Sequence, residues 1–196
     1  MSCHDENDMY EPDMNIYHGS KCDCYEHEDC CDCCTTPAYQ ACNICEQQMK
    51  YIVAQLITLY PTSTFVFTMK DGTTITGSPI SITDPCNRGL LAVVTTEVIV
   101  YVNICNIAYV SIAGATYSSS ILYMASPYCT SCRGCQESVR DFFTVGQTVT
   151  ITIAGDTISS ATVLAVASGV VVLSTSASLI FASICEIDSI VPTAEA

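Results

Sequence analysis

The chain writes its closing motif twice. Tyr101-Val102-Asn103-Ile104-Cys105-Asn106-Ile107 aligns with Phe181-Ala182-Ser183-Ile184-Cys185-Glu186-Ile187, and upstream Gly89-Leu90-Leu91-Ala92-Val93 aligns with Gly169-Val170-Val171-Val172-Leu173. The register from the glycine through Ile-Cys-x-Ile is constant, with no gap. A repeated supersecondary unit is a strong constraint on a fold, because each copy must form the same elements from a diverged sequence.

The rest of each unit follows one plan. Cys42-x-x-Cys45 precedes a helical stretch from Glu46 to Ile57, in which Met49, Ile52, Val53 and Leu56 fall at i, i+3, i+4 and i+7 and share a face. Pro61 lies where that helix should already have stopped. In the second unit Cys132-x-x-Cys135 precedes Gln136 to Phe143, a shorter helix with Val139, Phe142 and Phe143 on one face, and Gly146 turns the chain into a strand. Strand sequence follows in both. Phe65 to Met69 meets the turn Lys70-Asp71-Gly72 and resumes at Thr73 to Gly77, an Asp-Gly hairpin signal. Val149 to Ile153 alternates strictly, with Val149, Ile151 and Ile153 on one side and threonines on the other, before the turn Ala154-Gly155-Asp156.

A helix followed by about five short, bent strands predicts a mainly β chain of two tandem small Sm-like or SH3-like β-barrels, each preceded by a short α-helix. The expected organisation is an acidic Cys/His-rich arm over 1–37, a first helix-plus-barrel unit over 38–114, a linker over 115–128 and a second unit over 129–196. The first unit carries an insertion around Asp84-Pro85-Cys86-Asn87-Arg88, and the linker contains an extra candidate strand, Ser120 to Met124.

Charge narrows the functions. The chain has 196 residues and a formal net charge of −14, from 20 acidic and 6 basic side chains. Six scattered cations cannot neutralise a phosphate backbone or dock on an anionic membrane, so neither nucleic acid nor membrane is an expected partner. Charged residues are only 13% of the chain, and a surface so poor in charge is usually covered by something. The opening Met1-Ser2-Cys3-His4-Asp5-Glu6 is acidic where a secretory signal would be basic, so synthesis in the cytoplasm without a signal peptide is expected. The most apolar run, Ala161 to Leu173, is interrupted by Thr162, Ser168 and Gly169 and is too short to span a bilayer as a helix.

Fifteen cysteines are a density foreign to a reducing cytosol, and their odd number leaves one thiol free or shared with another chain. The arm holds ten of the acidic residues, all three histidines and almost no aliphatic side chain, so it cannot order itself by burial. It reads His18-x3-Cys22-x-Cys24-x2-His27-x2-Cys30-Cys31-x-Cys33-Cys34. Thiolates and imidazoles at short range can hold zinc, with Cys22, Cys24, His27 and Cys30 as the alternative ligand set, but the spacing is crowded compared with paired Cys-x2-Cys knuckles. No cofactor is expected otherwise. Adjacent cysteines pair poorly with their own neighbours and are better placed to bond other segments or chains. The cross-link candidates are therefore Cys3, Cys22, Cys24, Cys30, Cys31, Cys33, Cys34, Cys42, Cys45, Cys86, Cys129, Cys132 and Cys135. Cys105 and Cys185, inside the closing motif, read as small buried hydrophobes, although an exposed edge would make them cross-link points. A metal site shared by Cys42, Cys45, Cys132 and Cys135 is a rival reading. Thiols at helix N-termini suit disulfide exchange, but the βαβ setting of a thioredoxin-type Cys-x-x-Cys is missing. Asp71, Asp156, Glu186 and Asp188 are isolated carboxylates, and no catalytic set or phosphate loop appears.

Gly146-Gln147-Thr148-Val149-Thr150-Ile151, Gly169 to Leu173 and Ile184-Cys185-Glu186-Ile187-Asp188-Ser189-Ile190 resemble small domains of Firmicute spore coat proteins, and the Met-Ser-Cys opening with clustered cysteines is similar to cysteine-rich coat and exosporium proteins. That resemblance covers about three quarters of the chain and implies a structural, non-enzymatic protein. It implies a spore-surface ring, layer or filament of copies of itself, with other coat proteins as further partners, held by disulfides. The residues themselves point the same way, because small open β-units leave strand edges that invite pairing.

Overall fold

A computed structural model describes residues 38–82, 90–125 and 135–193. The elements run α1 (Ala38–Leu59), β1 (Phe65–Met69), β2 (Thr74–Ile82), β3 (Leu90–Val94), β4 (Ile99–Asn103), a 3-10 turn (Ile104–Asn106), β5 (Ile107–Ala113), α2 (Cys135–Phe142), β6 (Thr148–Ile153), β7 (Asp156–Ala167), β8 (Val170–Ser174), β9 (Ser178–Ser183), a second 3-10 turn (Ile184–Glu186) and β10 (Ile187–Pro192). The chain is mainly β, as its alternating Val, Ile and Thr require.

The mainly β character is as expected, but the strands do not close into two separate small barrels. Among the described residues, all ten strands join one antiparallel sheet in the order β10-β6-β7-β8-β9-β5-β1-β2-β3-β4. The physical reason is the partner taken by β5. Instead of closing the first unit on β4, it pairs with β9 of the second, Tyr109 opposite Ala182 through Ala113 opposite Ser178. Among the described residues, β10 and β4 are the two borders of the sheet.

The repeat is nonetheless written into the pairing. Phe65 faces Ile112 in the first half, and Val149 faces Pro192 in the second. Both of these ladders slip at the same step, beside Met69–Ile107 and beside Ile153–Ile187. The next ladders match too, with Pro79 opposite Val93 and Val163 opposite Leu173, each followed by a bulge. Such bulges bend a strand and increase its twist, which lets the long β2 and β7 curl around a core.

Two apolar clusters fill the sheet. The first gathers Met49, Ile52, Val53 and Leu56 of α1 with Phe65, Phe67, Leu91, Val93, Val110 and Ile112. The predicted helical face is thus the buried one, on a helix longer at both ends than its periodicity marked. The second cluster gathers Phe143, Val149, Ile151, Ile153, Val163, Val171 and Leu173. Strands β8 and β9 serve both. Val170, Val172, Leu179 and Phe181 point into the first cluster, while Val171, Leu173, Ile180 and Ala182 point into the second. Period-two alternation sends neighbouring side chains to opposite faces, so two strands with uninterrupted apolar runs, Val170 to Leu173 and Leu179 to Ala182, can feed two cores.

The candidate strand Ser120 to Met124 does not form. Its backbone is held by side chains of α1 instead. Gln55 Oε1 accepts from the Leu122 N–H at 2.8 Å, Gln55 Nε2 donates to the Leu122 carbonyl at 2.8 Å, and Gln48 Oε1 accepts from the Met124 N–H at 2.9 Å. With its polar groups satisfied there, and Ile121 buried in the first cluster, the segment straps α1 rather than extending the sheet.

Gly169, at the β7–β8 turn, has φ +82°, and a Cβ built there would stand 2.9 Å from the Cys45 Cα of α1. A side chain is therefore opposed twice, by the left-handed backbone and by the helix. Gly169→Ala is expected to lower stability by about 1–3 kcal/mol, read as an earlier denaturant midpoint. An unchanged midpoint would mean that α1 does not rest on this turn.

Candidate functional site at the junction of the halves and its two free borders

The junction is more than a backbone ladder. α1 packs on the 3-10 turn of its own half and also reaches across to β8, β9 and the second 3-10 turn. There Cys45 and Cys185 form a disulfide with Cα atoms 6.2 Å apart, joining residues 140 positions apart in sequence. Lys70 Nζ sits 3.3 Å from Glu46 Oε1 and 3.0 Å from Glu186 Oε1, bridging a carboxylate of each half. Partial burial works against the Lys70 charge, but Glu186 and then Glu46 outweigh it and hold its pKa above the usual lysine value. The carboxylates assigned to turns or surface are accounted for in part. Glu186 belongs to this bridge, Asp71 accepts from the Thr73 N–H and hydroxyl, and Asp156 accepts from the Tyr109 hydroxyl at 2.8 Å.

The cysteine predictions divide. Cys45 is cross-linked, as a candidate of that kind should be, but within the chain and to Cys185. Cys185 is corrected from a buried hydrophobe to half of a disulfide. Sequence reasoning missed it because a cysteine inside an apolar motif looks the same bonded or free, whereas its partner came from the other half of the chain. Cys105, its repeat counterpart, is a free thiol and half-buried rather than enclosed. Its burial first, and the carboxylate of Glu46 second, push its pKa above the ordinary thiol value. Cys42 lies on α1, and Cys135 is the first residue of α2. Cys3, Cys22, Cys24, His27, Cys30, Cys31, Cys33, Cys34, Cys86, Cys129 and Cys132 lie outside the described residues. Among the described residues no group of three or more His, Cys, Asp or Glu is placed to hold a metal, and Cys45 is already spent on sulfur in the four-cysteine metal reading. No helix among them is long and apolar enough to cross a membrane.

The two borders carry what the junction would otherwise cover. In β9, Leu179 is 1% exposed and Phe181 0%, because both enter the first cluster across the junction. Their counterparts in β4, Ile99 and Tyr101, are 52% and 62% exposed. Leu90 and Val98 beside them are exposed as well, although the Leu90 counterpart Val170 is fully buried. The opposite border shows the complementary deficit. Ile52 of α1 is 0% exposed, whereas Phe142, its counterpart on α2, is 43% exposed, and Val191 of β10 also faces outward.

Backbone polarity matches. Thr95 N–H donates to the Val98 carbonyl at 3.0 Å, so the β3–β4 ladder bonds at Val98, Val100 and Val102. Alternation then turns the N–H and C=O groups of Ile99, Tyr101 and Asn103 away from β3. Thr193 N–H donates to the Thr148 carbonyl at 3.0 Å, which by the same rule turns Ile190 and Pro192 outward on β10.

Replacing both cysteines of the junction, Cys45→Ser with Cys185→Ser, is expected to cost about 2–4 kcal/mol, since the bridge restricts a very long loop of the unfolded chain. Urea unfolding without reductant checks this, and an unchanged free energy would show that the bridge contributes nothing to the union of the halves.

No protein-family model, no curated protein and no solved structure matches this chain at a significant level.

Proposed function

We propose that this chain is a structural protein that polymerises head to tail, β10 of one copy pairing with β4 of the next as β5 pairs with β9 inside the chain. The observation that carries the reading is the exposure of Ile99 and Tyr101 on β4, whose counterparts Leu179 and Phe181 are buried in the first cluster across the internal junction, together with Phe142 on α2, exposed where its counterpart Ile52 is buried in that cluster. The chain supplies both the donor border and the acceptor border, so the contact is heterologous. It closes into a ring if the rotation per copy divides a full turn, and otherwise grows as a filament.

The internal register transfers directly. Val110 faces Phe181 and Ile112 faces Leu179 inside the chain, which assigns Ile190 to Tyr101 and Pro192 to Ile99 of the next copy. Burying a large apolar side chain contributes about 1.5–3 kcal/mol, and association itself costs at least about 4 kcal/mol. Several side chains and the ladder must therefore act together. A charge placed at the centre of the strip should undo them. Structural rather than enzymatic work is also what the sequence resemblance implies, and the bacterial spore surface as destination rests on that resemblance alone.

Light scattering on size-exclusion fractions tests the reading in about 0.15 M salt, where the repulsion between acidic copies is screened beyond roughly 8 Å. The native chain should form multimers that grow with concentration, while Tyr101→Lys should stay at the 21.1 kDa monomer with an unchanged circular dichroism spectrum. A native chain that remains monomeric at the highest attainable concentration would refute the proposal.

A further inference from the structure

We infer that Cys135 of one copy forms a disulfide with Cys105 of the next, stapling the intermolecular seam as Cys45–Cys185 staples the internal one. The inference rests on the head-to-tail reading and adds its covalent chemistry.

The repeat identifies the pair. Cys45 is the second cysteine of Cys42-x-x-Cys45, and its counterpart in the second half is Cys135, the first residue of α2. Cys185 stands in Ile184-Cys185-Glu186-Ile187, and its counterpart is Cys105 in Ile104-Cys105-Asn106-Ile107. The placement of the elements agrees. α1 packs on the 3-10 turn of its own half, and α2 packs on the turn of its own half in the same way. Inside the chain, the half that offers β5 also offers the helix cysteine, and the half that offers β9 offers the cysteine in the turn after that strand. At the seam the same roles fall to β10 with Cys135 and to β4 with Cys105.

Cys105 is suited to the part. It is unpaired and half-exposed. Its turn is fixed by the Asn103 side chain, whose Oδ1 accepts the Cys105 N–H at 3.0 Å directly after β4. The thiol therefore has a set position relative to the border strand that would dock.

The seam also has more need of a staple than the internal junction. Pro192 occupies the position of Ile112 and has no N–H to donate, so the ladder is one hydrogen bond shorter. The Lys70 bridge has no counterpart either, since Ala154, Gln136 and Asn106 stand where Lys70, Glu46 and Glu186 stand at the internal junction. In forming the bond the two thiols lose two protons and two electrons to a small-molecule disulfide, which leaves as two thiols.

The test uses the full chain, reduced and then oxidised with glutathione disulfide. Multimer bands on a non-reducing gel should yield a peptide pair linking Cys105 to Cys135, absent from the monomer band. Cys105→Ser and Cys135→Ser should each lack that pair, while an equal mixture of the two variants should restore it in a dimer band, because one working pair remains. Cys105 still open to alkylation in the oxidised multimer, or bonded to another cysteine, would overturn the inference. Light scattering under reductant separates the two levels. Multimers that persist there while Cys105 never links to Cys135 would sink the staple alone, and absence of multimers in both states would sink the seam with it.

Discussion

The antiparallel pairing of β5 with β9 is the contact on which the rest of the architecture depends. It turns two five-stranded halves into one sheet and brings Leu179 and Phe181 into the core of the opposite half. It also places Cys185 beside Cys45. Because β5 is used this way, it cannot close its own half on β4, and the sheet must end in two borders. Openness is thus the geometric consequence of joining the halves, and each border lacks the partner that its internal counterpart has.

Much of this was legible in the sequence. Apolar spacing marked the buried face of α1, the Asp-Gly turn marked the first hairpin, and strict alternation marked β6. The repeat itself was readable because Gly169 must be glycine and because Ile104 and Ile184 are buried in both halves. What could not be read was the choice of partner for β5. Its alternation, with Val110 and Ile112 facing inward, is satisfied equally by β4 or by β9, since strand patterns specify faces and not neighbours. The segment Ser120 to Met124 misled for a related reason. β-prone residues resemble a strand even when glutamines of a distant helix satisfy their backbone.

The candidate site was legible at the level of residue type. Cys45, one of the cross-link candidates, is bonded within the chain, while the crowded cysteines of the arm lie outside the described residues. The partner of Cys45 was hidden because disulfide connectivity depends on which half faces which. The same difficulty attends Cys105, whose surroundings include Glu46 and Lys70 and which is a free thiol among the described residues. A border with exposed Tyr101 and Ile99 is the kind that natural sheets blunt with charge or proline. Here β4 is left apolar, while Pro192 trims the opposing border by one donor. In the proposed seam, these features would make the ladder shorter than the one inside the chain.

Amide hydrogen exchange on the border strands tests the central claim most directly. Tyr101 and Ile190 turn their N–H groups outward from the sheet, whereas Val100 and Val102 already bond to β3. As protein concentration rises, the Tyr101 and Ile190 amides should slow together by more than about tenfold, with little change at Val102. If both continue to exchange at the rate of exposed amides while the protein is multimeric, the copies are joined elsewhere and the internal junction is not the template for assembly.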